Sequence, residues 1–158
     1  MRKFLAMLGV LATASILGMA LFAGSAFAKG PKIKSVKFSG TPSEPTVTIK
    51  GKGLGSLPFE AAEPVAECFP EEEVATGNDF GTLAWFEDNS DGWRAGEGAG
   101  DCIGLIFSTY TETEVVYHFG SAYSHYPPLA SGDGYTVTLN GLTKTGTVKL
   151  KVKKVKKH

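Results

Sequence analysis

Six residues near the middle of the chain, Glu87-Asp88-Asn89-Ser90-Asp91-Gly92, set oxygen donors at alternate positions and follow them with a glycine. Part of a calcium loop is written this way. Ca2+ takes about six to eight oxygens, and closely spaced Asp and Asn side chains with backbone carbonyls supply them. The candidate ligands are Asp88, Asn89 and Asp91, with Asp101 as a distant addition. Such a loop ends on a glutamate at its twelfth position, where this chain has Gly98, and it opens here on Glu87. The alternative is an acidic turn built from Asn-Ser-Asp-Gly chemistry. No other cofactor is expected.

A second candidate lies beside the first. Trp93 and Arg94 follow the acidic run, and Tyr123 and Tyr126 lie in a Pro-containing segment, Ser121 to Pro128. Planar rings flanked by Asp, Asn and Arg are what a polysaccharide platform uses: ring faces for sugar C–H groups, polar neighbours for hydroxyls. The alternative is that Trp93 folds back as a plug on the fold.

Catalysis has less to stand on. There is no G-x-S-x-G elbow, and nothing in the placement of the three histidines, His118, His125 and His158, points to a Ser/His/Asp site. Glu87, Asp88, Asp91, Glu97 and Asp101 could pair for glycoside hydrolysis, but acids in a Gly-rich stretch are commonly just solvated. A non-enzyme is expected, with a secreted hydrolase as the outlying alternative.

Cys68 and Cys102 are the only two cysteines. Outside the cytoplasm they are expected to form one disulfide. The start of the chain points to that compartment. Arg2 and Lys3 precede a long apolar run, Phe4 to Ala23, and Ala26-Phe27-Ala28 supplies a small-residue exit before Lys29. This order reads as a signal peptide over residues 1–28, with release to the extracellular space or cell surface. An uncleaved anchor is the alternative, since a span needs roughly 20 apolar residues. Cleavage would leave no membrane span.

Without Arg2 and Lys3, 14 basic residues face 16 acidic ones, and they are segregated. Between Glu60 and Glu114 there are 14 acids and a single base, Arg94; outside that window are 13 lysines and two acids, Glu44 and Asp133. Opposite surfaces are implied. Lys50, Lys149, Lys151 and Lys153 are expected to form a basic face that Lys34 and Lys37 could join. Such a face would attract anionic wall polymers or headgroups, or it would guard an edge strand against aggregation. Nucleic acid is disfavoured by export.

The elements that must position these groups are strands. Ile33 to Phe38, Thr46 to Lys50, Gly104 to Tyr110, Glu114 to Phe119, Tyr135 to Leu139 and Val148 to Val152 are short runs, most of period two. Asn140-Gly141 is a tight hairpin signal. The acidic stretch at about 57–101 holds one plausible strand, Gly81 to Phe86, and a run that long is uncommon unless it works or is tied down.

Two stretches carry a family resemblance. Pro31-Lys-Ile-Lys-Ser-Val-Lys-Phe-Ser-Gly40 followed by Pro45-Thr-Val-Thr-Ile-Lys-Gly-Lys-Gly-Leu-Gly55 resembles the opening of the IPT/TIG immunoglobulin-like domains. Tyr110 to Val116 and Gly132-Asp-Gly-Tyr-Thr-Val-Thr138 are similar to later strands of that family. The resemblance implies a sandwich of about seven strands with a binding or spacer role and no catalytic residues to carry over. The expectation is an all-β, immunoglobulin-like β-sandwich over residues 29–152, with the acidic Gly/Pro-rich insert at about 57–101 and a basic tail at 153–158. Its expected work is noncovalent binding of an extracellular polysaccharide or cell-wall polymer. The alternative is a structural or adhesive protein that self-associates, lysine face to acidic insert.

Overall fold

A computed structural model describes residues 30–56, 62–65, 68–69, 75–98 and 101–150. The expected signal peptide, the basic tail, Lys151 and Lys153 lie outside the described residues.

The chain is all-β. Its opening hairpin joins β1 (Lys32–Thr41) to β2 (Glu44–Lys52). Two-residue strands β3 (Glu63–Pro64) and β4 (Asn78–Asp79) follow, then β5 (Ala84–Asp88) and β6 (Trp93–Ala95). The second half supplies β7 (Leu105–Tyr110), β8 (Glu114–Phe119), β9 (Gly134–Leu139) and β10 (Leu142–Thr147). They form two antiparallel sheets, ordered β1-β2-β8-β7-β4-β3 and β10-β9-β5-β6.

The period-two pattern of the sequence determines which side chains face the space between the sheets. From β2, Val47 and Ile49 point inward; from β8, Val115, Tyr117 and Phe119. From β9, Tyr135, Val137 and Leu139 meet them. Phe86 of β5 touches the rings of Trp93, Phe119 and Tyr135, so one aromatic cluster runs through the core. Asn140 and Gly141 both take positive φ, 47° and 77°, in the tight turn between β9 and β10. A side chain at Gly141 would strain that turn.

Two expectations change. The final strand begins at Leu142 and ends at Thr147, not at Val148 to Val152. A two-residue turn forces this: Leu142 pairs Leu139 at once, and the ladder is spent by the Thr147–Gly134 pair. Val148 and Leu150 are nonetheless buried with Lys149 exposed between them, so the alternation survives beyond the strand. The second change concerns the acidic stretch. It contributes four strands rather than one, with β5 in the interior of its sheet between β9 and β6.

That stretch also shuts one side of the sandwich. Ala95 bridges Ile103, the Gly96 amide donates to the Ile103 carbonyl at 2.8 Å, and the Phe80 amide donates to the Gly96 carbonyl at 2.7 Å. The Cys68–Cys102 disulfide lies on the same side. Among the described residues the opposite side has no such strap. There β1 ends one sheet and β10 ends the other.

Candidate functional site

The four residues expected to bind sugar are split by the sheet. Trp93 and Arg94 are neighbours in β6, and successive side chains on a strand point to opposite faces. Trp93 goes inward and is 4 % exposed, against Phe86, Phe119 and Tyr123 at ring separations of 5.5, 5.3 and 5.4 Å. Tyr123 is buried too; its hydroxyl donates to the Pro42 carbonyl and accepts from the Leu129 amide, both at 2.7 Å. Tyr126 is half-buried, 6.1 Å from Phe69 and 6.4 Å from Trp93. Arg94 points outward, bonded to Glu97 at 2.6 Å and Glu87 at 3.4 Å, with its guanidinium over the Trp85 ring at 5.5 Å. No sugar platform is formed by Trp93 and Tyr123: a ring in the core has no face to offer. The sequence reading also missed Trp85, the half-buried ring on the outer surface, which Arg94 covers.

The acidic residues sort into two clusters. At one, the β5–β6 turn brings Asp88 and Asp91 to Asp133 at the approach to β9, with one oxygen of each carboxylate within 4.8 Å of the others. Asn89, expected as a ligand, instead accepts a hydrogen bond from the Thr136 hydroxyl at 3.2 Å. Asp133 stands in its place. It was hard to find because it lies 42 positions beyond Asp91, where local spacing carries no signal.

Asp101 belongs to the other cluster. It lies beside Asp79 and accepts the Glu97 amide at 2.8 Å. Burial, then the charge and hydrogen bond of Asp101, then Glu63, push the Asp79 carboxyl up to about 7. The folded protein therefore keeps a proton that the unfolded chain has released between 3.8 and about 7. Stability falls as pH rises through that interval and levels off above it. Asp79→Asn is expected to flatten this slope in urea unfolding from pH 4 to 8, and to be more stable than the wild type at pH 8. A slope unchanged in the variant would show that Asp79 is not its source.

The expected basic face is partly assembled. Lys50 lies in an exposed ion pair with Glu114 at 3.1 Å, a contact worth about 0–1 kcal/mol, and does not line the open side. Lys149 does, joined by Lys37 of β1 and Lys144 of β10. The three border a groove of about 1410 Å³ between the two terminal strands. Val36, Phe38 and Tyr135 line it as well, with the Phe38 and Tyr135 rings 5.0 Å apart. A Cβ at Gly146 would fall 2.6 Å from the Tyr135 hydroxyl, so glycine leaves room for the ring. No acidic residue lines the groove, and none of its three lysines is in an ion pair among the described residues. Lys144 was missed with the strand that carries it. The signal was present: a two-residue turn at Asn140-Gly141 fixes β10 and its register.

A smaller hollow of about 490 Å³ contains His118, Ser121 and Ser124. The Ser121 hydroxyl accepts the Thr76 amide, and Ser124 donates to the Ser121 carbonyl. His118 takes part in neither of these hydrogen bonds. No protein-family model, curated protein or solved structure matches the chain.

Proposed function

We propose that this protein is a non-catalytic extracellular binding module of immunoglobulin-like, IPT/TIG-type architecture, and that its groove between β1 and β10 takes an extended anionic polysaccharide of the cell surface. One observation carries this: a groove with the half-buried Val36 and Phe38 for the apolar faces of sugars, bordered by Lys37, Lys144 and Lys149, and without an acid among the described residues that line it to repel carboxylate or phosphate. Trp93 has no part in it. Five further lysines follow Leu150 in the sequence and add to the positive charge of the chain. The apolar leader and the disulfide support the extracellular setting.

The test is retention of the leaderless protein on immobilised polyuronate, with cellulose and chitin as neutral supports. Lys37→Glu/Lys144→Glu/Lys149→Glu is expected to weaken polyuronate retention tenfold or more, and about 0.5 M salt to weaken that of wild type, because exposed charges are screened. Equal retention of the triple variant would remove the groove from the function. Firm retention on cellulose or chitin would replace the anionic ligand with a neutral one.

The free edges of β1 and β10 favour a second reading, self-association, in which the acidic segment of another copy lies along the groove. Sedimentation separates the two. Polyuronate binding by a protein that stays monomeric at low salt supports the first; salt-sensitive dimers that compete with polyuronate support the second.

A further inference from the structure

We propose that Asp88, Asp91 and Asp133 form a calcium site that ties the β5–β6 turn to the approach to β9. Three carboxylates meet there with one oxygen each inside 4.8 Å. An acidic cluster alone would say little, since exposed acids gather without a cation. Asp88 is different: it is 0 % exposed, and its Oδ2 is buried without a hydrogen-bond partner. The other oxygen, Oδ1, is already engaged by the Ser90 amide at 2.8 Å and the Asp91 amide at 3.1 Å. The turn thus holds the carboxylate still and leaves Oδ2 for something else.

A buried charge needs an opposite charge or it takes up a proton. Among the described residues no lysine or arginine pairs with any of the three acids; Arg94, the one base of the acidic window, is engaged by Glu97 and Glu87. Asp88 thus sits buried beside two further carboxylates with no basic side chain paired to any of them among the described residues. That is the electrostatic situation a divalent cation relieves. The donors are all oxygen, which suits a hard cation and excludes a preference for zinc. Calcium fits better than magnesium because backbone carbonyls and water can complete a flexible shell of about six to eight oxygens, whereas magnesium demands a tight octahedron.

The surroundings are already organised. The Asn89 amide donates to the Gly134 carbonyl at 2.9 Å, the Gly134 amide donates to the Ser90 hydroxyl at 2.9 Å, and the Val148 amide donates to the Asp133 carbonyl at 2.8 Å. Two loops far apart in sequence are therefore in register before any cation arrives. With three carboxylates, the affinity expected is that of extracellular modules, about 10⁻⁴–10⁻³ M.

Terbium, which occupies calcium sites and luminesces when a nearby aromatic ring absorbs, reads the site directly. Asp88 stands opposite Trp93 of β6 and Tyr135 of β9 in its sheet, so ultraviolet excitation of these rings is expected to sensitise bound terbium. The full chain is titrated with terbium, the ion is displaced with calcium and then with magnesium, and melting is followed with calcium and with chelator. Saturable luminescence, displacement by calcium at tenfold lower concentration than magnesium, and a higher melting temperature with calcium are expected. Asp88→Asn is not relied on, because the turn depends on it. Asp133→Asn and Asp91→Asn are expected to lose tenfold or more in affinity while melting like the wild type in chelator, and Asn89→Ala to bind like the wild type. The proposal fails if about 10 mM calcium neither raises the melting temperature nor displaces terbium, a concentration well above the expected dissociation constant. It fails equally if Asp133→Asn binds as tightly as the wild type.

Discussion

Trp93→Ala is expected to cost about 3–5 kcal/mol of stability, since it empties a buried indole from a close-packed aromatic cluster. For a domain of this size the melting temperature should fall by roughly 10–20 °C. The indole is 4 % exposed and packs against Phe86, Phe119 and Tyr123, whose rings are held in the same cluster, so its removal leaves a cavity. Its Nε1 is buried without a partner. Trp93→Phe should therefore cost less than half as much, because it keeps a ring and removes an unsatisfied donor. Urea unfolding of both variants measures this. The milder variant should hold polyuronate as firmly as the wild type, which separates packing from binding. Unchanged stability with lost retention would instead place the indole at a binding surface.

Reduction of the Cys68–Cys102 disulfide is expected to lower stability by roughly 3–4 kcal/mol in the chain-entropy picture, for a sequence separation of 34. The bond anchors the acidic segment to the buried Cys102, two residues before the Gly104–Leu105 step into β7. Strands β3 and β4 are two residues each and sit at the end of their sheet, so they have little else to hold them. Hydrogen exchange with and without reductant should show β3 and β4 losing protection first while β2 and β8 keep theirs. A urea midpoint unchanged after verified reduction would mean that the bridge adds nothing to stability.

Local sequence was enough for the elements themselves. Thr46 to Lys50 and Glu114 to Phe119 alternate, and alternation needs only the period of a strand, so β2 and β8 and their buried faces were legible. Asn140-Gly141 was legible because positive φ is a local demand. The disulfide was legible because two cysteines allow one intramolecular pairing. The short strands of the acidic segment were not, since two or three residues are too few to show a period and form only when a neighbour offers a ladder. Nor was the direction in which Trp93 points. A tryptophan among glycines and acids reads as exposed, yet β6 borders a core that has room for a large ring beside Phe86. The sequence by itself thus determined that the chain is all-β, where it turns, which cysteines join and how its charge is divided. The tertiary structure decided which charges meet. Asp133 joins Asp88 and Asp91, Asp101 joins Asp79, and Lys37, Lys144 and Lys149 border one groove on the open side, because sheet order and loop closure bring together residues that no local spacing relates.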